Sequence, residues 1–153
     1  MRSVFTVDKP EESLGFLLWQ TTMTWQRLIK KALDSHDISH AQFVILAITL
    51  WHESKNHEVS QSLIIRQSKL DKMTVSKSFK KLVIEGYVKR MEHKEDTRVK
   101  AVYLTKKGKQ LISKLIPIVE KIDEVFFGVL MKRDQQSLIN VLNNLISNMD
   151  VPV

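Results

Sequence analysis

The residues with the clearest chemical potential are cationic and clustered. Between Arg66 and Lys109 the chain carries 14 Lys and Arg against 5 Asp and Glu, a net of +9, whereas the remaining residues hold 10 against 12. The formal charge of +7 therefore comes entirely from one central block. A clustered basic face gains affinity for a polyanion by displacing counterions condensed on its phosphates. A solvated basic surface, or attraction to an anionic membrane, would use the same charges. Within the block, Lys72, Thr74, Ser76, Lys77, Lys80 and Lys81 fall on one side of a helical pattern, and Val75, Phe79, Leu82 and Val83 occupy the other at i, i+4, i+7 and i+8. Donors on an outer helix face, anchored by an apolar inner face, suit the base edges and phosphates of a DNA major groove. Downstream, Arg98 ends the charged stretch His93–Arg98, where an arginine suits the more negative minor groove. Asp96 and Arg98 could equally pair with each other and hold that turn in shape.

Other chemistries find less support. The chain has no cysteine, which removes disulfides, Cys-type zinc sites and thiol catalysis. His36 and His40, and His52 and His57, stand near Asp37 and Glu53, a composition that could hold a metal. The His36–His40 pair straddles a predicted helix break and need not share a face, so surface histidines are the simpler reading and no metal site is assigned. No nucleophile–base pair or paired carboxylates stand at a catalytic spacing, and 4 glycines are too few for a phosphate-cradling loop. An enzyme is not expected, nor a cofactor. At 43% hydrophobic and 27% charged residues the 153-residue chain reads as globular. Its longest apolar run, Phe43–Ile48, is far short of the roughly 20 residues that cross a bilayer. Asp8, Glu11 and Glu12 precede any apolar run and no small-residue cleavage site follows, so nothing reads as a signal peptide and the expected location is cytoplasmic.

The elements that must position these residues are mostly helical. Pro10-Glu11-Glu12 predicts a helix start, and Leu14, Leu17, Leu18, Trp25, Leu28, Ile29, Ala32 and Leu33 continue a helix over about 11–35. Ser39 with Gln42 forms a capping box, stapled by Ile38, for a second helix over 40–53 that is apolar on nearly every side, Trp51 included, and so expected to be buried. Ser60 caps a short third helix over 61–68, Asp71 a fourth over 72–85, and Gly86 ends it in the left-handed conformation. The period then changes to 2, predicting strands at 87–91 and 99–104 around a charged hairpin tip. Thr105 caps a fifth helix to about 131, kinked near Pro117, and Asp134 caps a sixth over 135–148.

A short helix, a tight turn, a basic amphipathic helix and a basic-tipped hairpin make a winged helix-turn-helix. At this point the chain also resembles the MarR (multiple antibiotic resistance regulator) family of bacterial transcription factors. The most specific match lies over the wing, Asp96-Thr97-Arg98 followed by Leu104-Thr105-Lys106-Lys107-Gly108. Thr74-Val75-Ser76-Lys77 and Leu82-Val83-Ile84-Glu85-Gly86-Tyr87-Val88-Lys89-Arg90 match the recognition helix and its exit. The resemblance covers about 11–148.

The fold expected is mainly α with a small β-hairpin wing. Residues 1–153 form a single domain, with a winged lobe over 36–105 and dimerisation helices over 11–35 and 106–148. The resemblance implies a homodimer with interleaved terminal helices. Leu14, Phe16, Leu17, Trp19, Phe126 and Phe127 agree, being more apolar surface than one small lobe needs. By position the resemblance makes Asp96 and Arg98 the wing pair, with Arg98 the minor-groove reader. It puts Lys72, Thr74, Ser76 and Lys77 at the DNA-facing start of the recognition helix, with Lys80 on phosphate. Where Thr97 stands, family members often carry Arg, and Lys94 or Lys100 is placed to compensate. Many members bind small aromatic anions between dimer helices and winged lobe. Trp19, Trp25, His40, Phe43 and Trp51 are available to line such a pocket, although aromatics at helical spacing serve equally as core. The expected function is a homodimeric, sequence-specific regulator of double-stranded DNA, a ligand-responsive repressor reading a pseudo-palindromic operator. A winged-helix protein-interaction module, or a nonspecific DNA-binding protein, is the alternative.

Overall fold

Among the described residues, five of the six α-helices begin at a side chain that replaces a missing backbone partner. The computed structural model describes residues 3–92 and 100–149. Along them run α1 (Leu14–Asp34), α2 (His40–Ser54), α3 (Gln61–Ser68), α4 (Lys72–Ile84), β1 (Val88–Glu92), β2 (Lys100–Leu104), α5 (Lys106–Phe127) and α6 (Lys132–Ser147). The Ser13, Ser39 and Ser60 hydroxyls accept from the N–H groups of Phe16, Gln42 and Leu63 at 3.3, 3.1 and 3.1 Å. Asp71 Oδ1 accepts from Thr74 N at 2.8 Å, and Thr105 Oγ1 from Gly108 N at 3.0 Å. Gln42 Oε1 in turn accepts from Ser39 N at 2.9 Å, completing the capping box. Each bond satisfies a donor that the helix geometry leaves open.

The chain divides into two compact units, residues 1–119 and 120–153. In the first, the apolar faces of α1 to α5 and the hairpin close a core of Ile29, Leu33, Ile45, Leu46, Ile64, Val75, Phe79, Leu82, Ile112 and Leu115, each at most 1% exposed. A fully buried side chain of this size contributes about 1.5–3 kcal/mol relative to an exposed one. β1 and β2 pair antiparallel from Val88↔Leu104 to Glu92↔Lys100, and Ser60 adds a bridge to Ala101, with Val102 N donating to Val59 O at 2.8 Å. α4 ends in a Schellman turn: Gly86 N donates to Val83 O at 3.0 Å and Tyr87 N to Leu82 O at 2.9 Å, with Gly86 at φ +78°. Gly108 is fixed by closeness, because a Cβ there would run into the Tyr87 carbonyl oxygen.

Several boundaries depart from the sequence expectation. Pro10–Glu12 forms a 3-10 turn and Ser13 is extended (φ −89°, ψ 112°), so α1 begins at Leu14 rather than 11. β1 runs one residue later than predicted, over Val88–Glu92, because Tyr87 is consumed in the turn that ends α4. α5 runs through Pro117 but stops at Phe127 rather than 131, since Gly128, a poor helix former, opens the turn that Leu130 N closes onto Phe127 O at 3.0 Å. Asp134, expected to cap α6, lies inside its first turn, and the extended Met131 takes the cap position without a side-chain bond. Trp51 is also not buried with the rest of α2; it is 57% exposed.

The second unit holds the end of α5 and α6, and α6 has no buried residue. Val141, Leu145 and Ile146 are each more than half exposed. Among the described residues no helix is long and apolar enough to cross a membrane.

Candidate nucleic-acid interface

α4 is held by four buried side chains and presents cations on its opposite side. Val75, Ser78, Phe79 and Leu82 face inward, whereas Lys72, Lys77 and Lys80 are exposed. The first turn is rigidified by Asp71, whose two oxygens accept from Thr74 N at 2.8 Å and Thr74 Oγ1 at 2.6 Å. The Thr74 hydroxyl, and then its backbone N–H, hold the Asp71 carboxyl below the usual carboxylate range. Thr74 is thus half-buried with its hydroxyl proton committed to the cap.

Ser76 is also half-buried, and its oxygen accepts from Gln61 Nε2 at 3.2 Å. Gln61 Oε1 accepts in turn from Arg90 Nη1 at 3.4 Å. Gln61, the first residue of α3, therefore ties the outer side of α4 to strand β1. Sequence reasoning passed over Gln61 and Arg90 because the link joins residues 29 apart along the chain. Met73 was passed over as well; it is 80% exposed on α4, where the apolar pattern does not require it.

The wing is anchored at its base. Leu104 N donates to Glu53 Oε1 at 2.8 Å, and Lys109 Nζ stands 3.4 Å from Glu53 Oε2. Thr105 Oγ1 donates to the Gly86 carbonyl at 2.6 Å while capping α5, which explains a Leu-Thr-x-x-Gly sequence on local grounds. Lys100 is exposed at the start of β2. Lys94, Asp96 and Arg98 lie outside the described residues.

Three of the five aromatic pocket candidates come together. Trp25 and His40 meet edge to face at 5.2 Å between ring centroids, and Phe43 is 6.5 Å from His40. His40 also lines a cleft of about 570 Å³ with Arg27, Lys30, Asp34, Asp37 and Lys81. Lys30 pairs with Asp34 at 2.7 Å, and Lys81 of α4 reaches Asp37 at 3.7 Å. Trp19 is 61% exposed on α1, and Trp51 stacks edge-on against His52 at 5.0 Å. His52 is buried, 2.8 Å from Gln67 Oε1 and 5.8 Å between centroids from His57. Among the described residues no three His, Asp or Glu side chains gather as a metal-ligand set.

Capped helices, an outward basic helix and a hairpin docked on its exit define a winged-helix protein of the DNA-binding regulator class. Residues 34–122 match the family described as ArnR1-like, winged-helix domain. The chain is 37% identical over 125 residues to the HTH-type transcriptional regulator YdcH of Bacillus subtilis, covering 82% of this chain and 85% of that one. Among solved structures it is similar to Bordetella bronchiseptica BpsR, whose DNA binding is regulated by 6-hydroxynicotinic acid (TM-score 0.80, 22% identity, 92% of this chain and 96% of that one). It is similar also to a mutant of Escherichia coli MarR complexed with operator DNA (TM-score 0.75, 21% identity, 86% and 92%). The chain belongs to the MarR family of winged-helix transcriptional regulators.

Proposed function

We propose that this protein is a homodimeric repressor that reads a pseudo-palindromic operator, with α4 in the major groove and the wing in the flanking minor groove. The observation that carries it is the division of α4 into an inner face closed over the core and an outer face bearing exposed Lys72, Lys77 and Lys80. Thr74 and Ser76 assist from the helix edge, and Lys94, Asp96, Arg98 and Lys100 serve the wing. The lobe over 36–105 binds DNA, and the helices over 11–35 and 106–148 dimerise. The exposed apolar residues of α1 and α6 support that division, since a monomer rarely leaves such stripes in water. The DNA complex of MarR and the ligand control of BpsR are precedents from relatives of the same fold.

The effector in this reading is a small aromatic anion. His40, held against Trp25 and Phe43, lines the cleft, and Arg27 there supplies positive charge. Trp19 and Trp51 complete the candidate set, although both are exposed here. A ligand competing for Lys81 would loosen its pairing with Asp37 and so act on α4 itself. The protein works in the cytoplasm and catalyses no reaction, in keeping with a family of regulators.

The test is selection of bound sequences from a random duplex library at two salt concentrations. One palindromic consensus, with affinity falling steeply in salt, is the expected outcome. Recovery without a consensus would favour a nonspecific DNA-binding protein, and no recovery a protein-interaction module.

A further inference from the structure

The outer ridge of α4 runs Met73, Lys77, Lys80, Ile84, spaced i, i+4, i+7 and i+11, opposite the buried ridge of Val75, Ser78, Phe79 and Leu82. Met73 stands in the first turn with 80% of its surface exposed, between the exposed cation Lys72 and the capped Thr74. Its long apolar side chain contributes nothing to the core, and it neither donates a hydrogen bond nor carries charge, so it cannot hold a phosphate. Of the neighbouring hydroxyls, that of Thr74 donates to Asp71 at 2.6 Å, and the half-buried Ser76 oxygen accepts from Gln61 Nε2 at 3.2 Å. The first turn of a recognition helix is the part that reaches base edges. The major groove offers one apolar group there, the 5-methyl of thymine. Ile84 is equally exposed but lies eleven residues on, about 16 Å along the helix axis, beyond the two lysines.

We infer that Met73 is a specificity-determining residue that packs its thioether against a thymine methyl in each half-site. This rests on the major-groove placement of α4 proposed above. A polarisable, unbranched side chain suits the task, because it adapts to a methyl group without demanding one rotamer.

The experiment replaces each thymine of the selected operator, one symmetric pair at a time, by deoxyuridine, which removes only the methyl group. Binding is then measured for the parent chain and for Met73→Ala. One pair should weaken the parent by about fourfold per half-site, the worth of one buried methyl-sized group. Met73→Ala should lose a similar factor on the unmodified operator and become indifferent to that same replacement. Met73→Leu should restore the sensitivity, and unchanged thermal melting should confirm that all three fold alike. A parent indifferent to every replacement, or a Met73→Ala protein as sensitive as the parent, overturns the inference. Failure of the parent to bind any selected duplex overturns the DNA-reading proposal itself, and that is seen before deoxyuridine is introduced.

Discussion

α4 and α6 are both amphipathic helices of similar length, yet they meet opposite fates. α4 buries most of its apolar stripe, with Val75 and Phe79 at 0% and Leu82 at 1% exposure, leaves Val83 exposed against the expectation, and turns its lysines outward. α6 carries an apolar stripe of Leu138, Val141, Leu142, Leu145 and Ile146 in which Leu138 and Leu142 are only half-buried and the rest are exposed. The contrast separates what each helix lacks. α4 is packed through its inner face and leaves Met73 and its lysines exposed, whereas α6 leaves an apolar stripe exposed. A second copy of the chain is the simplest partner, since a twofold axis brings identical stripes together. In the function proposed above, DNA reading and assembly fall to different helices of the same chain.

The largest effect is expected from breaking the α6 side. Ile146→Glu puts a charge into the proposed dimer contact while disturbing nothing buried in one chain. Dissociation should cost roughly 10²–10⁴-fold in operator affinity, the gain that linking two binding modules provides. Sedimentation should show the monomer, and the melting of the winged lobe should persist. The next effect belongs to the wing. Arg98→Ala should weaken binding to the specific operator by about 1–3 kcal/mol, the worth of a groove contact, measured by titration at fixed salt. Unchanged affinity would remove Arg98 from the interface.

Lys80→Ala should act more mildly and without sequence preference. It should weaken all duplexes about equally and flatten the plot of log affinity against log salt by about one unit. A changed consensus instead would give Lys80 a base-reading role. The smallest effect concerns the cap of α4. The Thr74 bonds depress the folded pKa of Asp71, so its stabilising contribution is present above the ordinary carboxylate pKa near ~4 and is lost as pH falls through the depressed value. Asp71→Ala should therefore melt below the parent at neutral pH, and the gap should close on acidification below about pH 4. A gap independent of pH would mean that the carboxylate charge is not what stabilises the turn.

Much of the α4 side was legible in the sequence because its signals are local. Ser39 with Gln42, Ser60, Asp71 and Thr105 each cap the helix they were expected to cap, and Gly86 ends α4 with positive φ. Each of those capping bonds joins residues three apart, within reach of a reading along the chain. The errors lie where a weak local signal met a stronger neighbour: Ser13 overrode Pro10 as the start of α1, and Gly128 ended α5 ahead of the apolar residues that would prolong it. The links through Gln61 to Arg90, and from Glu53 to Leu104 and Lys109, join distant residues and had no local signature. The grouping of Trp25, His40 and Phe43 without Trp51 likewise depends on how helices cross, which periodicity does not specify. Met73 was legible in principle, as an apolar residue on the polar side of a helix.

Sedimentation equilibrium of the parent chain and of Ile146→Glu, alone and with a selected operator duplex, tests the division of labour most directly. The expected result is a parent dimer, two chains on each duplex, and an Ile146→Glu monomer that still binds duplex weakly and salt-sensitively through α4. A parent that is monomeric at micromolar concentration and occupies the operator as a single copy would contradict it.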